Sequence, residues 1–276
     1  DWSGVLCIGM GGSGAGGRFL STLADSEGGL PFVTWNDYGL PSWWGPDWLV
    51  IATSYSGETE ETLDGATKAI ENGGTVIGIS SGGRLSDILG GNDDSVCIDI
   101  PGSQTPRSAF GHIFGTQLSV CWRLGLLPSF PEGEIESMIK RLRSASSSYD
   151  LIGGEGMPIN LASTISGKGV GIVSPGEMGP AAYRFSCQLN ENSNSFARPA
   201  EVPEMNHNEI VPWMSANADS QALVLLTCDG INPRTKSRID WMMENVEGPV
   251  VWRIDCEGES LLERLLYAAH VSDWIS

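Results

Sequence analysis

Positive charge is scarce in this sequence. Four lysines (Lys68, Lys140, Lys168, Lys236) and three histidines stand in 276 residues, and the net charge is −18. Nucleic acid and anionic membrane are held by basic patches, so neither is an expected partner. An anionic ligand would be opposed by the overall field, and a pocket for one has to rely on local dipoles and a few placed cations. No apolar run approaches the ~20 residues that a membrane span needs, so no membrane association is expected. The chain has no CxxC pair. Its six cysteines (Cys7, Cys97, Cys121, Cys187, Cys228, Cys256) are scattered, mostly through apolar runs. They read as buried, reduced thiols of a cytoplasmic protein, and with so few histidines no metal site is expected. Asp1 leads almost at once into an apolar strand, so no leader is expected, and with no initiator Met the sequence is expected to be trimmed at its front.

What the chain does have is an alternation of short apolar runs and amphipathic stretches. Strands are expected over 5–8, 32–35, 49–53, 75–79 and 96–100. Helices are expected over 15–24, 58–72 and 84–89, with a long apolar one from Pro106 to about Leu126. Strands alternating with helices argue for an α/β fold with a mainly parallel sheet covered on both faces. Pro128–Pro131 breaks the pattern, and an amphipathic helix over 132–148 reads as a connector. The pattern then restarts over 169–173, 222–227 and 250–254 and closes with a helix over 261–275. The expected organisation is a first domain over 1–127, a connecting helix within 128–150, and a second domain over 151–276. That second domain reads as a degenerate copy of the first. Ser174–Pro180 replaces the glycine loop, so its phosphate loop is lost.

Two stretches carry chemistry in the first half. Gly9–Gly17 (GMGGSGAGG) and Ser54–Thr59 (SYSGET) each follow an apolar run and open an amphipathic segment. Helix starts present backbone N–H groups and partial positive charge. Glycines let the backbone approach an anion, and hydroxyls add donors without bulk. Two such turns on neighbouring strands could surround one phosphate. Gly9-x-Gly11-x-x-Gly14 also satisfies the dinucleotide fingerprint, with Asp37 near the place of a ribose-binding acid. The hydroxyls of Ser54, Ser56 and Thr59 argue against that reading, because a dinucleotide does not need them and a single phosphate does. Glu58, beside the phosphate turn, reads as a first-turn carboxylate facing solvent. Arg107, expected at the start of the long helix, is either a cation facing a reacting centre or a surface arginine. Glu191, inside Gln188-Leu-Asn-Glu-Asn, and His207, inside Glu204-Met-Asn-His-Asn-Glu, have the chemistry of a general base and a proton shuttle, or of ordinary polar loops. His112 and His270 lie in apolar helices and read as structural.

With GMGGSG, SYSGETEET, PRSAFG, QLNEN, PEMNHNEI and the terminal SDWIS in place, the chain resembles the sugar isomerase (SIS) superfamily, more narrowly its bifunctional phosphoglucose/phosphomannose isomerases. The resemblance implies two SIS-type subdomains, each a three-layer αβα sandwich. It implies cofactor-free interconversion of glucose 6-phosphate, and of mannose 6-phosphate, with fructose 6-phosphate through a cis-enediol. Carried over by motif, Gly12, Ser13, Ser54, Ser56 and Thr59 hold the phosphate. Glu191 moves the proton between C1 and C2, and Arg107 steadies the intermediate. His207 helps to open the sugar ring, reaching in from the other subunit of a homodimer. In the family a lysine that assists ring opening lies past the region of Ser272–Ser276. The sequence stops before it, which together with the absent front helix is expected to reflect trimming. A non-catalytic sugar-phosphate-binding protein and a nucleotide-dependent oxidoreductase stay open as alternatives.

Overall fold

Parallel strands buried on both faces read as unbroken apolar runs, and GVLCI and WLVIAT are the plainest such runs in the first half. In the computed structural model they are the central strands β1 (Gly4–Ile8) and β3 (Trp48–Thr53). The structure describes residues 2–149, 155–215 and 220–276. The chain divides into two compact units, Asp1–Ser129 and Phe130–Ser276. The expected boundary at 150/151 falls at residues outside those described, and the 132–148 helix groups with the second unit rather than standing between the two.

In the first unit, α1 (Gly11–Glu27) leads from β1 to β2 (Phe32–Trp35). Then β3, α2 (Glu60–Glu71), β4 (Val76–Ser80), α3 (Arg84–Gly90), β5 (Ser95–Asp99) and α4 (Phe110–Arg123) follow. The sheet is parallel throughout, in the order β2-β1-β3-β4-β5. One face, with Leu6, Ile8, Val50 and Ala52, packs on Leu63, Ala66 and Ala69 of α2 and on Leu85 and Leu89 of α3. The other face carries α1 and α4, which are locked together by Phe19 against Phe110 and Phe114 at ring separations of 5.1 and 5.2 Å.

The expected start of α1 at residue 15 is corrected. The helix begins at Gly11 and takes in most of the glycine loop. Helix propensity alone disfavours five glycines in seventeen residues, but close packing requires four of them. A Cβ at Gly14 would land on the Gly9 carbonyl, one at Gly16 on the Gln117 side chain, and one at Gly17 on Cys7. The expected helix from Pro106 is also corrected. Residues 105–109 form turns, closed by Ser108 N–H and Ala109 N–H on the Thr105 carbonyl, and α4 starts at Phe110.

In the second unit α5 (Glu134–Ser146) and α6 (Met157–Ile165) precede β6 (Gly169–Pro175). They are followed by α7 (Gly179–Asn192), β7 (Ala197–Val202), α8 (Ile210–Trp213), β8 (Gln221–Cys228), α9 (Pro233–Asn245), β9 (Val250–Cys256) and α10 (Leu261–Ile275). The parallel order β7-β6-β8-β9 repeats the first four positions of the first sheet. Strand β7, unread in the sequence, thus stands where β2 does.

Candidate active site

In open parallel sheets, ligands bind outside the carboxyl ends of the strands, at the point where successive connections leave in opposite directions. In the first sheet that point lies between β1 and β3. The turn after β1 carries Met10–Ser13, and the turn after β3 carries Ser54–Thr59. The two sequence motifs therefore meet at the switch point. Neither helix start is capped by its own N-cap side chain: Met10 has none to offer, and Thr59 Oγ1 turns instead to Ser54 Oγ at 2.8 Å. The first N–H groups of α1 and α2 have no intrahelical acceptor, as in any helix, and both ends carry partial positive charge.

The five phosphate candidates sort into distinct positions. Gly12 sits against the backbone of the 105–109 turn, where a Cβ would come within 3.0 Å of Arg107 N and 3.1 Å of its Cα. That contact brings Arg107 to the glycine turn, although not from a helix N-terminus as expected. Ser13 is buried, and its Oγ accepts the Tyr55 N–H at 3.0 Å, tying the first turn to the second. Ser54 is fully buried. Its N–H donates to the Ile79 carbonyl and its Oγ is spent on Thr59, so its side chain does not face solvent and supports Thr59 from beneath. Ser56 is exposed, and its Oγ accepts the Glu58 N–H at 3.2 Å. Gly57 adopts φ +72°, and a Cβ there would fall on the Gly82 carbonyl, so the turn is closed to any other residue.

Glu58 precedes α2 and does not belong to its first turn. Its Oε1 accepts the Arg84 N–H at 2.9 Å and so caps the start of α3. The carboxylate is thereby turned to a neighbouring helix. Asp37 is likewise engaged locally, accepting the Tyr38 N–H at 2.7 Å. It is Asn36 that donates to the Gly9 carbonyl. The ribose-binding role considered for Asp37 has no geometry behind it.

Sequence reasoning missed the turns after β4 and β5. Ser81 donates to the Tyr55 carbonyl through both N–H (2.9 Å) and Oγ (2.6 Å). Gln117, buried in α4, donates from Nε2 to Thr53 Oγ1 at 3.0 Å. Four turns are thus knitted at one edge, a convergence that depends on strand order.

In the second unit Glu191 lies one residue from the end of α7 and is exposed. Asn190 pins that helix end to the start of β7, exchanging bonds with the Ala197 N–H (2.8 Å) and carbonyl (3.2 Å). Arg184, almost wholly buried, and Gln188 both bind Asp273 of α10, which fixes α7 along its length. His207 is exposed at the end of a short 3-10 helix, Glu204–His207, that follows the far end of β7. Glu191 and His207 therefore flank opposite ends of one six-residue strand, a run of about 17–20 Å. The switch point of this second sheet is lined by Glu177, Glu201 and Glu204, in a cavity of about 260 Å³. Asn232 and Thr235 line the same cavity. His112 is exposed on α4, not packed inside it, whereas His270 on α10 is half-buried, accepting from Trp274 Nε1 at 3.4 Å. Among the described residues no group of three or more His, Cys, Asp or Glu could hold a metal ion, and no helix is long and apolar enough to cross a membrane.

Solved structures of low sequence identity share this fold over nearly the whole chain. Glucosamine-6-phosphate deaminase from Thermotoga maritima superposes with a TM-score of 0.74 at 12% identity, over 99% of this chain and 83% of that one. Tagatose-6-phosphate ketose/aldose isomerase from Escherichia coli gives 0.71 at 13% identity, over 99% and 81%. Residues 157–276 match the model of the bacterial phospho-glucose isomerase C-terminal SIS domain. It is 30% identical to the bifunctional phosphoglucose/phosphomannose isomerase of Thermoplasma acidophilum, over 100% of this chain and 82% of the relative. It is 32% identical to that of Aquifex aeolicus, over 100% and 83%. The chain belongs to the bifunctional phosphoglucose/phosphomannose isomerase family.

Proposed function

We propose that the protein interconverts glucose 6-phosphate, and mannose 6-phosphate, with fructose 6-phosphate. The observation that carries this reading is the pair of hydroxyl-rich, uncapped helix starts at the switch point of the first sheet, with Arg107 against Gly12. The N–H groups at Gly12 and the hydroxyls of Ser13, Ser56 and Thr59 hold the phosphate, with Ser54 holding Thr59 in place. The Glu191 carboxylate takes the proton from the carbon next to the carbonyl, and the C–H electron pair becomes the C1=C2 bond of a cis-enediolate. The Arg107 guanidinium steadies the negative oxygen. The hydroxyl proton passes from one enediol oxygen to the other, so that the old carbonyl becomes a hydroxyl and the old hydroxyl a carbonyl, as protonated Glu191 returns its proton to the other carbon. One carbon is oxidised as its neighbour is reduced, so the step balances with no cofactor. A single carboxylate serves both C2 epimers if the enediolate rotates between removal and return.

His207 moves a proton during ring opening. Within one copy it and Glu191 flank opposite ends of β7, so the reading is a homodimer in which His207 serves the partner's site. A cytoplasmic location fits the substrate class and the six cysteines, all of them thiols. The test is a coupled assay with fructose 6-phosphate on the wild type and on Glu191→Gln. Loss of the base should lower kcat about 10²–10⁴-fold with KM little changed. An unchanged kcat would remove Glu191 from the mechanism, and a wild type inert on all three hexose phosphates would remove the function.

A further inference from the structure

Tyr55 sits in the middle of the SYSGET turn and is 6% exposed. Every polar group it has is used, and each reaches a different part of the edge. Its N–H donates to Ser13 Oγ in the first turn. Its carbonyl accepts from Ser81 in the turn after β4. Its phenol donates to the Pro101 carbonyl at 3.2 Å and accepts the Gln104 N–H at 2.9 Å. The run 101–106 is exposed along its whole length, and Ser103 takes φ +74°. An exposed run of this kind is held by its backbone bonds, and Tyr55 supplies two of them. Three residues beyond Gln104 stands Arg107, whose backbone lies against Gly12. From Thr105 onward the chain is already closed into turns, with Thr105 Oγ1 and Ser108 Oγ 2.9 Å apart. The phenol therefore fixes the near end of a short, stiff segment whose far end is Arg107.

We propose that Tyr55 is a positioning residue for the isomerisation, its phenol holding the 101–107 segment so that Arg107 faces the charge that develops on the substrate. This rests on the role given to Arg107 under the proposed function. A guanidinium aimed at an enediolate acts only when that charge exists, and orientation is what the protein contributes. The backbone bonds of Tyr55 are a separate matter. They hold the turns to one another and do not depend on the phenolic oxygen.

The test is a double-mutant cycle between Tyr55→Phe and Arg107→Ala, read in two ways on the intact protein. The first readout is kcat and KM for fructose 6-phosphate. The second is the Kd of 6-phosphogluconate, an acyclic phosphate with negative charge at C1, with inorganic phosphate as control. Tyr55→Phe should lower kcat about tenfold with KM within about twofold, and weaken 6-phosphogluconate but not phosphate. In the Arg107→Ala background the same substitution should change neither kcat nor the 6-phosphogluconate Kd. Ser81→Ala removes a bond to the Tyr55 carbonyl and leaves the phenol in place. It should alter kcat less than about twofold, and it covers the case in which Tyr55→Phe folds poorly, since a general loosening of the turns would show in both. Equal losses with and without Arg107, or equal losses in Ser81→Ala and Tyr55→Phe, would overturn the proposal. A wild type that binds 6-phosphogluconate but turns over no hexose phosphate would count against the proposed function and leave the Tyr55–Arg107 coupling readable in Kd.

Discussion

Ser54 and Ser56 are two residues apart in one motif, and the structure gives them different work. Ser54 is sealed beneath the turn with its hydroxyl on Thr59, whereas Ser56 stands at the surface. Ser54→Ala should therefore show mainly in stability, at about 1–3 kcal/mol for two lost internal hydrogen bonds, to Thr59 Oγ1 and from Thr59 N–H, read from the urea midpoint. Ser56→Ala should leave the midpoint alone and raise KM about tenfold or more, since a hydrogen bond to a charged group is worth about 1.5–3 kcal/mol. A result with the two effects exchanged would mean the turn rearranges on binding. The hydroxyl-rich character of this stretch was legible in the sequence. Which hydroxyl faces outward was not, because that depends on where β3 ends and where α2 begins. The same holds for Glu58, whose partner is an amide 26 residues away, and for Arg107, whose unusual placement was inferred from a helix start that lies three residues further on.

At the scale of elements, the central strands were legible because burial on both faces makes them uniformly apolar. Strand β7 was not, because Ala-Arg-Pro-Ala-Glu-Val carries Arg198, Pro199 and Glu201. An edge strand has one paired neighbour, so it tolerates a proline and charges that a central strand would reject. Helix α10 was read over its full length, while the device that starts it went unread. Ser260-Leu-Leu-Glu263 has the spacing of a capping box. Ser260 Oγ accepts the Glu263 N–H, and Glu263 returns a carboxylate to the Glu259 N–H and to Arg141 of α5. Burial by itself would raise the Glu263 carboxyl. The bonds from Arg141 and the Glu259 N–H outweigh it and hold the group below its ordinary value of 4.5. A carboxyl depressed in the folded state contributes its full stability above its unfolded value, and loses it as pH falls from about 4.5 through the lower folded value. Glu263→Gln should thus flatten the acid limb of the stability curve below pH ~4.5. At neutral pH Glu263→Ala should lower stability by about 2–3 kcal/mol, under the ~3–5 of a fully buried pair because Arg141 stays 34% exposed. An acid limb unchanged in Glu263→Gln would show that another carboxylate governs it.

For the whole molecule, the decisive relation is between the two ends of β7. The bonds between Asn190 and Ala197 fix Glu191 at one end, and the Glu204–His207 turn follows the other. No side-chain rotation spans a six-residue strand, so if both groups act on one sugar, they come from two copies of the chain. This makes a quantitative expectation for mixed dimers. In a homodimer of Glu191→Gln both sites would lack the proposed base, and in one of His207→Ala both would lack the proposed proton shuttle. When the two proteins are mixed and allowed to exchange subunits at random, about half of the dimers pair one of each. If His207 serves the partner's site, each mixed dimer has one site with both groups replaced and one with both intact. About a quarter of the wild-type activity on glucose 6-phosphate should then return from two nearly inactive proteins. If His207 served its own subunit, every site in every dimer would carry one defect, and mixing would restore nothing. The activity of an exchanged mixture therefore reports directly on which copy supplies the imidazole, and a return to no more than the sum of the two parents would sink the shared site.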